Sequence, residues 1–173
     1  SVPRSSALPG ERFVGAMRVG LQHVRQSPRM RAIIVRIFIF FLHSSALIAL
    51  LPLVAQRLHG GGSGSGAGLF TLLMASMGAG AIFAALMFPR WRKRFDRNQF
   101  VLYGTLVHAA ATAVIALVPI AWVAVPAIFI GGMAWISTAN TLATAAQLAL
   151  PDWVRARGMS IYQMALMGGT AFG

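Results

Sequence analysis

The chain has 173 residues, 57% of them hydrophobic and only 10% charged, with a mean hydropathy of +0.71. Ordinary globular domains carry roughly 25% charged residues, so this composition excludes a water-soluble surface. Fifteen Lys and Arg against three Asp and Glu give a net charge of +12, which on a soluble protein would suggest nucleic acid. Nearly all the cations, however, stand between apolar runs of roughly twenty residues, the length of a membrane crossing. The expected partner is therefore the lipid bilayer and not nucleic acid. Cysteine is absent, which removes disulfides and thiolate metal sites, and nothing in the sequence calls for a cofactor.

Residues 1–30 are polar and basic, with Arg4, Arg12, Arg18, Arg25 and Arg29, and Pro3 and Pro9 interrupt them. Phe13, Met17, Leu21 and Val24 recur at helical spacing while Arg18, Gln22 and Arg25 fall elsewhere on the wheel, the pattern of an amphipathic helix on an anionic leaflet or beneath a bundle. Ser27-Pro28 offers an N-cap followed by Pro at the first helical position. A first crossing is expected at about 33–54, with Arg36 near its start and His43 near its middle.

The stretch GGGSGSGAG at 60–68 reads as a flexible connection. It lacks the Lys and the preceding strand that a phosphate-binding loop needs. A second crossing follows at about 67–88. The segment from Arg90 to Arg97 then holds Arg90, Arg92, Lys93, Arg94 and Arg97, too many cations for hydrocarbon, where each costs a few kcal/mol or more. Further crossings are expected at about 100–117 and 122–147, joined by a tight uncharged turn at Pro119. A second basic loop, with Asp152, Arg155 and Arg157, precedes a fifth apolar segment at 158–173 that stops short of a full crossing. The chain, opening on Ser1 without a Met, reads as a piece of a longer protein with no visible secretory signal.

Fourteen of the fifteen Lys and Arg lie on alternate connections, and only Arg57 lies on the others. By the positive-inside rule the arm and the two basic loops face the cytoplasm and the glycine-rich loop faces out. The expected fold class is an all-α polytopic membrane bundle.

Inside the crossings, Ala75 with Ala79, Gly80 with Ala84, and Gly169 with Gly173 have the spacing that lets helix backbones approach. The fourth crossing is the most polar, with Ser137, Thr138, Asn140, Thr141, Thr144 and Gln147. Hydroxyls return hydrogen bonds to their own helix; the Asn140 amide needs other helices or a wet cavity. His43 and His108 either relay protons or hydrogen-bond to a neighbouring helix. Glu11, Asp96 and Asp152 all fall outside the crossings, so a carboxylate for a coupling proton is expected elsewhere in a longer protein. Neither a nucleophile elbow, a zinc-protease motif, a carboxylate pair nor a nucleotide fingerprint occurs, and the chain is not expected to be an enzyme.

Two segments carry a family resemblance. PRWRKRFDRNQFVLYG after a Gly/Ala-rich helix resembles the short basic loop that joins the second and third helices of each half of a major facilitator superfamily transporter. LPDWVRARGMSIYQM resembles the loop joining the fourth and fifth helices. The order of loops and crossings is similar to the central loop and helices 7 to 11 of such a transporter, nearest the enterobactin-exporter-like, transmembrane secretion effector branch, over essentially the whole chain. Two departures stand out: Lys93 occupies the position of the usual Asp and Asp96 that of the glycine, and Ala156 replaces the Gly between Arg155 and Arg157.

The resemblance implies a secondary transporter working by alternating access in the plasma or bacterial inner membrane, exporting a small amphiphilic molecule such as a drug or siderophore. It implies as partners the N-terminal half of the same protein and a proton as coupling ion. Candidate substrate contacts are Asn140, Thr141, Gln147 and His43, and the gating or topology cations are those of the two basic loops. A non-transporting scaffold, or the membrane anchor of an enzyme, is the alternative.

Overall fold

The computed structural model describes residues 18, 21, 22, 24–58, 66–91, 93, 94 and 96–173. Most of the expected amphipathic segment, most of the glycine-rich connection, and Arg92 lie outside the described residues. Five helices follow one another: α1 (Pro28–Leu58), α2 (Ala67–Trp91), α3 (Arg97–Leu117), α4 (Ala121–Ala149) and α5 (Asp152–Phe172). No strand occurs among the described residues, and α1 to α4 are each long and apolar enough to cross a membrane. The molecule is an all-α, multi-pass membrane bundle.

Local chemistry sets the helix ends. The Met30 amide donates to the Ser27 hydroxyl at 3.3 Å and Pro28 opens α1, so the helix starts upstream of the apolar run and carries Arg29 and Arg31 on its first turns. Similarly, α5 starts at Asp152 inside the second basic segment, where Asp152 suits the positive helix end. Within the helices, the hydroxyls of Thr71, Thr105, Thr112, Thr141, Thr144 and Thr170 each return to the carbonyl four residues back. This satisfies them without any water.

Two buried clusters show how the helices alternate. One joins Ile33 and Ile37 of α1, Val101 of α3, Leu142 and Ala146 of α4, and Val154 and Tyr162 of α5. The other joins Leu47 and Leu51 of α1, Leu73 of α2, Ile115 of α3, and Ala124 and Ile128 of α4. Thus α1, α3 and α5 run one way, α2 and α4 the other, and the start of α1 meets both basic loops at one end, called here the basic end. Large apolar side chains such as Ile82, Leu86 and Leu106 stay exposed, as the outer face of a lipid-embedded bundle requires.

Close approach holds the parallel pairs together. A Cβ on Gly80 would overlap the Phe129 carbonyl, and one on Gly132 would overlap that of Met77, so α2 and α4 pack backbone against backbone. The Ser76 hydroxyl adds a bond to the Val125 carbonyl at 2.9 Å. Of the small-residue pairs expected on this helix, Gly80 and Ala84 are buried, whereas Ala75 and Ala79 point outward. On the other side Gly169 packs on the backbone of Phe38 and Leu42, seating α5 on α1.

Overpacking such a contact costs on the order of 3 kcal/mol. Gly132→Val should lower the thermal midpoint and broaden the elution peak in detergent, whereas Gly78→Val, whose Cβ meets nothing within 4 Å, should change neither. Equal effects from the two would contradict the α2–α4 contact.

Candidate functional site

At helical rise, His108 lies about 16 Å along α3 from Arg97, near the middle of a roughly 30 Å hydrocarbon core. It is fully buried, 0% exposed, and bonds to two other helices. Its Nδ1 lies 3.1 Å from the Gly131 carbonyl of α4, and its Nε2 lies 2.9 Å from the Ser44 hydroxyl of α1. A carbonyl only accepts, so Nδ1 carries a proton toward Gly131, and in that tautomer Nε2 accepts from the Ser44 hydroxyl. One imidazole thereby ties α1, α3 and α4 at mid-depth. His43 lies edge-on to it at 5.6 Å between ring centroids, and its buried Nε2 has no hydrogen-bond partner among the described residues.

The other candidates sit elsewhere. Asn140 and Gln147 are both exposed on the same face of α4, about two turns apart, with Thr144 between them. Both stand in the basic half of the bundle. Gln147 lies beyond Ala145, which shares a cavity with Arg97, so it reaches the interface and not the midplane. Thr141 points into the bundle and donates to the Ser137 carbonyl at 2.7 Å. The four residues named from the sequence therefore do not meet: Asn140 and Gln147 share one face, Thr141 another, and His43 belongs to the histidine pair.

The structure adds Ser137, which the sequence marked only as one of several hydroxyls. Its buried oxygen has no partner among the described residues. It borders a small cavity of about 90 Å³ with Asn140, Ala84 and Phe88. It also borders an open cavity of about 480 Å³ between α3 and α4, lined by Trp91, Phe100, Tyr103, Val107 and Met133. Ser137 and Asn140 are the polar points on a surface that is otherwise apolar and aromatic, a composition suited to an amphiphile.

The loop order, the helix alternation and the bundle now stand together with one comparison: across residues 2–173 the sequence matches the family model described as transmembrane secretion effector. The chain belongs to this family of the major facilitator superfamily. No curated protein and no solved structure shows significant similarity to it. Membership makes the chain part of a transmembrane transport or secretion protein.

Arg90 lies in the last turn of α2 and approaches the Met87 sulfur at 3.7 Å, while Lys93 and Arg94 occupy an exposed turn. The ion pair seen among the described residues joins Asp152 and Arg155, both solvent-accessible, and exposed pairs of this kind contribute about 1 kcal/mol at most. Arg157 is half-buried on α5, and Asp96 precedes α3 without a side-chain cap bond.

The His108 junction generates a quantitative expectation. In a double-mutant cycle of Ser44→Ala and His108→Phe, followed by denaturation in mixed micelles, the pair should show a coupling of about 1 kcal/mol. Simple additivity would mean that the Ser44 to His108 bond contributes nothing to folding.

Proposed function

We propose that this chain forms part of a secondary transporter that works by alternating access and exports a small amphiphilic molecule from the cell. The observation that carries this reading is the placement of Asn140. A side-chain amide left accessible within the hydrophobic span is costly against lipid tails. It is suited to a surface that meets water, a partner half or a substrate, and it adjoins, through Ser137, an aromatic cavity large enough for a drug-sized molecule. The excess of cations at one end supports placing that end in the cytoplasm of the plasma or bacterial inner membrane.

In this reading Asn140 and Ser137 orient the polar part of the substrate, and Phe100, Tyr103 and Met133 receive its apolar part. Gln147 lies at the mouth of the same helix face. The His43 and His108 pair holds α1 and α3 in register at mid-depth, where the two halves of such transporters rock around their site. Arg94, in its exposed turn, makes no ion pair with a described residue and is available to a carboxylate or a helix C-terminus of the opposing half when the cytoplasmic side closes.

The test is efflux of a fluorescent amphiphile from cells expressing the complete reading frame that carries this chain. Asn140→Leu and Ser137→Val should each lower the efflux rate about tenfold, the loss of roughly one productive hydrogen bond. The lipid-facing control Leu86→Ala should leave efflux and membrane expression unchanged. Unaltered efflux in both variants would refute the site, and absence of efflux from the unsubstituted protein across cationic, neutral and anionic dyes would refute the export reading.

A further inference from the structure

At the basic end α1, α3 and α4 enclose a cavity of about 340 Å³ into which Arg29, Arg36 and Arg97 converge, with Asn98 beside them and Ile33 and Val101 as its apolar wall. Arg29 and Arg36 lie two turns apart on one face of α1. Arg97 opens α3, whose first-turn amides receive no side-chain cap from Asp96 and so add their own positive field. Arg36 donates to the Asn98 carbonyl oxygen, a neutral partner. Among the described residues no carboxylate pairs with any of the three guanidinium groups; the ion pair present there is Asp152 with Arg155, on another helix. Three guanidinium groups that line one cavity and make no ion pair with a described residue repel one another, and an anion between them relieves that repulsion.

The depth and the surroundings say which anion. From Arg36 to Leu58 α1 rises about 33 Å, and the whole of α3 rises about 31 Å, each close to the hydrocarbon thickness. Arg36 and Arg97 therefore stand at the level of the lipid phosphates. A second cavity, of about 310 Å³, shares Arg36, Asn98 and Val101 with the first and continues into the apolar zone along Ile39, Phe40 and Leu102 to Thr105. The combined space is cationic at the interface and apolar below it, between two membrane-crossing helices.

We propose that this space binds the phosphate headgroup of an anionic phospholipid, one acyl chain of which lies in the groove between α1 and α3. The phosphodiester sits between Arg29, Arg36 and Arg97, and the Asn98 amide holds the Arg36 guanidinium in place for it. The bound lipid then acts as a wedge that fixes the spacing of α1 and α3 at the basic end. This proposal is independent of the transported substrate, since it concerns a different face of α3 from the aromatic cavity.

The experiment uses the protein reconstituted in nanodiscs of phosphatidylcholine alone or with about one third phosphatidylglycerol. Native mass spectrometry counts the lipids retained, and the thermal midpoint is measured in parallel. The unsubstituted protein should retain phosphatidylglycerol over phosphatidylcholine by about tenfold and melt several degrees higher in the mixed discs. Arg36→Gln with Arg97→Gln should abolish both differences while melting normally in phosphatidylcholine, and Lys93→Gln, an exposed cation outside the cavity, should preserve them. Inorganic phosphate added to phosphatidylcholine discs should not reproduce the shift; if it does, the site takes free phosphate and the lipid assignment is wrong. Equal retention by the double variant and the unsubstituted protein, or equal loss in Lys93→Gln, would overturn the proposal in favour of nonspecific surface attraction.

Discussion

Hydrocarbon offers no water to a polar group, and this constraint sorts every polar side chain in the bundle. Hydroxyls of Thr71, Thr105 and Thr141 fold back on their own helices. His108 spends both ring nitrogens on neighbouring helices. The described cations other than Arg57 collect at one end, in turns and near helix ends, where they reach the interface. What remains after this sorting includes Asn140 on an accessible face, Ser137, Thr138, His43 and Trp135 with buried atoms that lack partners among the described residues, and three arginines around one cavity. These exceptions, and not the many satisfied groups, are where a ligand or a partner has something to gain.

Packing gives the constraint its geometry. The parallel contact of α2 with α4 through Gly80 and Gly132 brings Ala84 and Phe88 alongside Asn140, creating the small cavity that opens towards Ser137. Gly104 of α3 lies against Thr138, where any larger residue would collide, so α3 approaches α4 closely on its other side. The aromatic cavity forms where that approach ends and Trp91 closes the space from the end of α2. The two glycine contacts thus position the candidate site: Gly80 and Gly132 from a distance, and Gly104 as part of the wall of the aromatic cavity.

Much of this was legible beforehand. Run lengths separated by turns and charges are direct consequences of bilayer thickness, and the pairing of Ser27 with Pro28 announced the start of α1. The motif order around Arg90 to Arg97 and Arg155 to Arg157 pointed to the family that the comparison confirms. What stayed hidden depends on contacts between residues far apart in the chain. No local pattern says that His108 meets Ser44, 64 residues away, or that Gly80 meets the carbonyl of Phe129. The polar residues of the fourth crossing form one group along the sequence, but at 100° per residue Asn140 and Thr141 face different ways, and only the neighbours decide which side is covered. In sequence Ser137 is indistinguishable from the other hydroxyls of the crossing, because a hydroxyl normally satisfies itself, and this one does not.

The central claim is that the Asn140 face of α4 meets a polar passage and not lipid, and thiol accessibility measures this most directly because the chain has no native Cys. In membranes carrying the complete protein, Asn140→Cys should react with a membrane-impermeant, hydrophilic thiol reagent applied from both sides at least about tenfold faster than Leu86→Cys, an outward apolar position on the neighbouring helix. Equal and negligible rates at the two positions would place Asn140 against hydrocarbon and contradict the account.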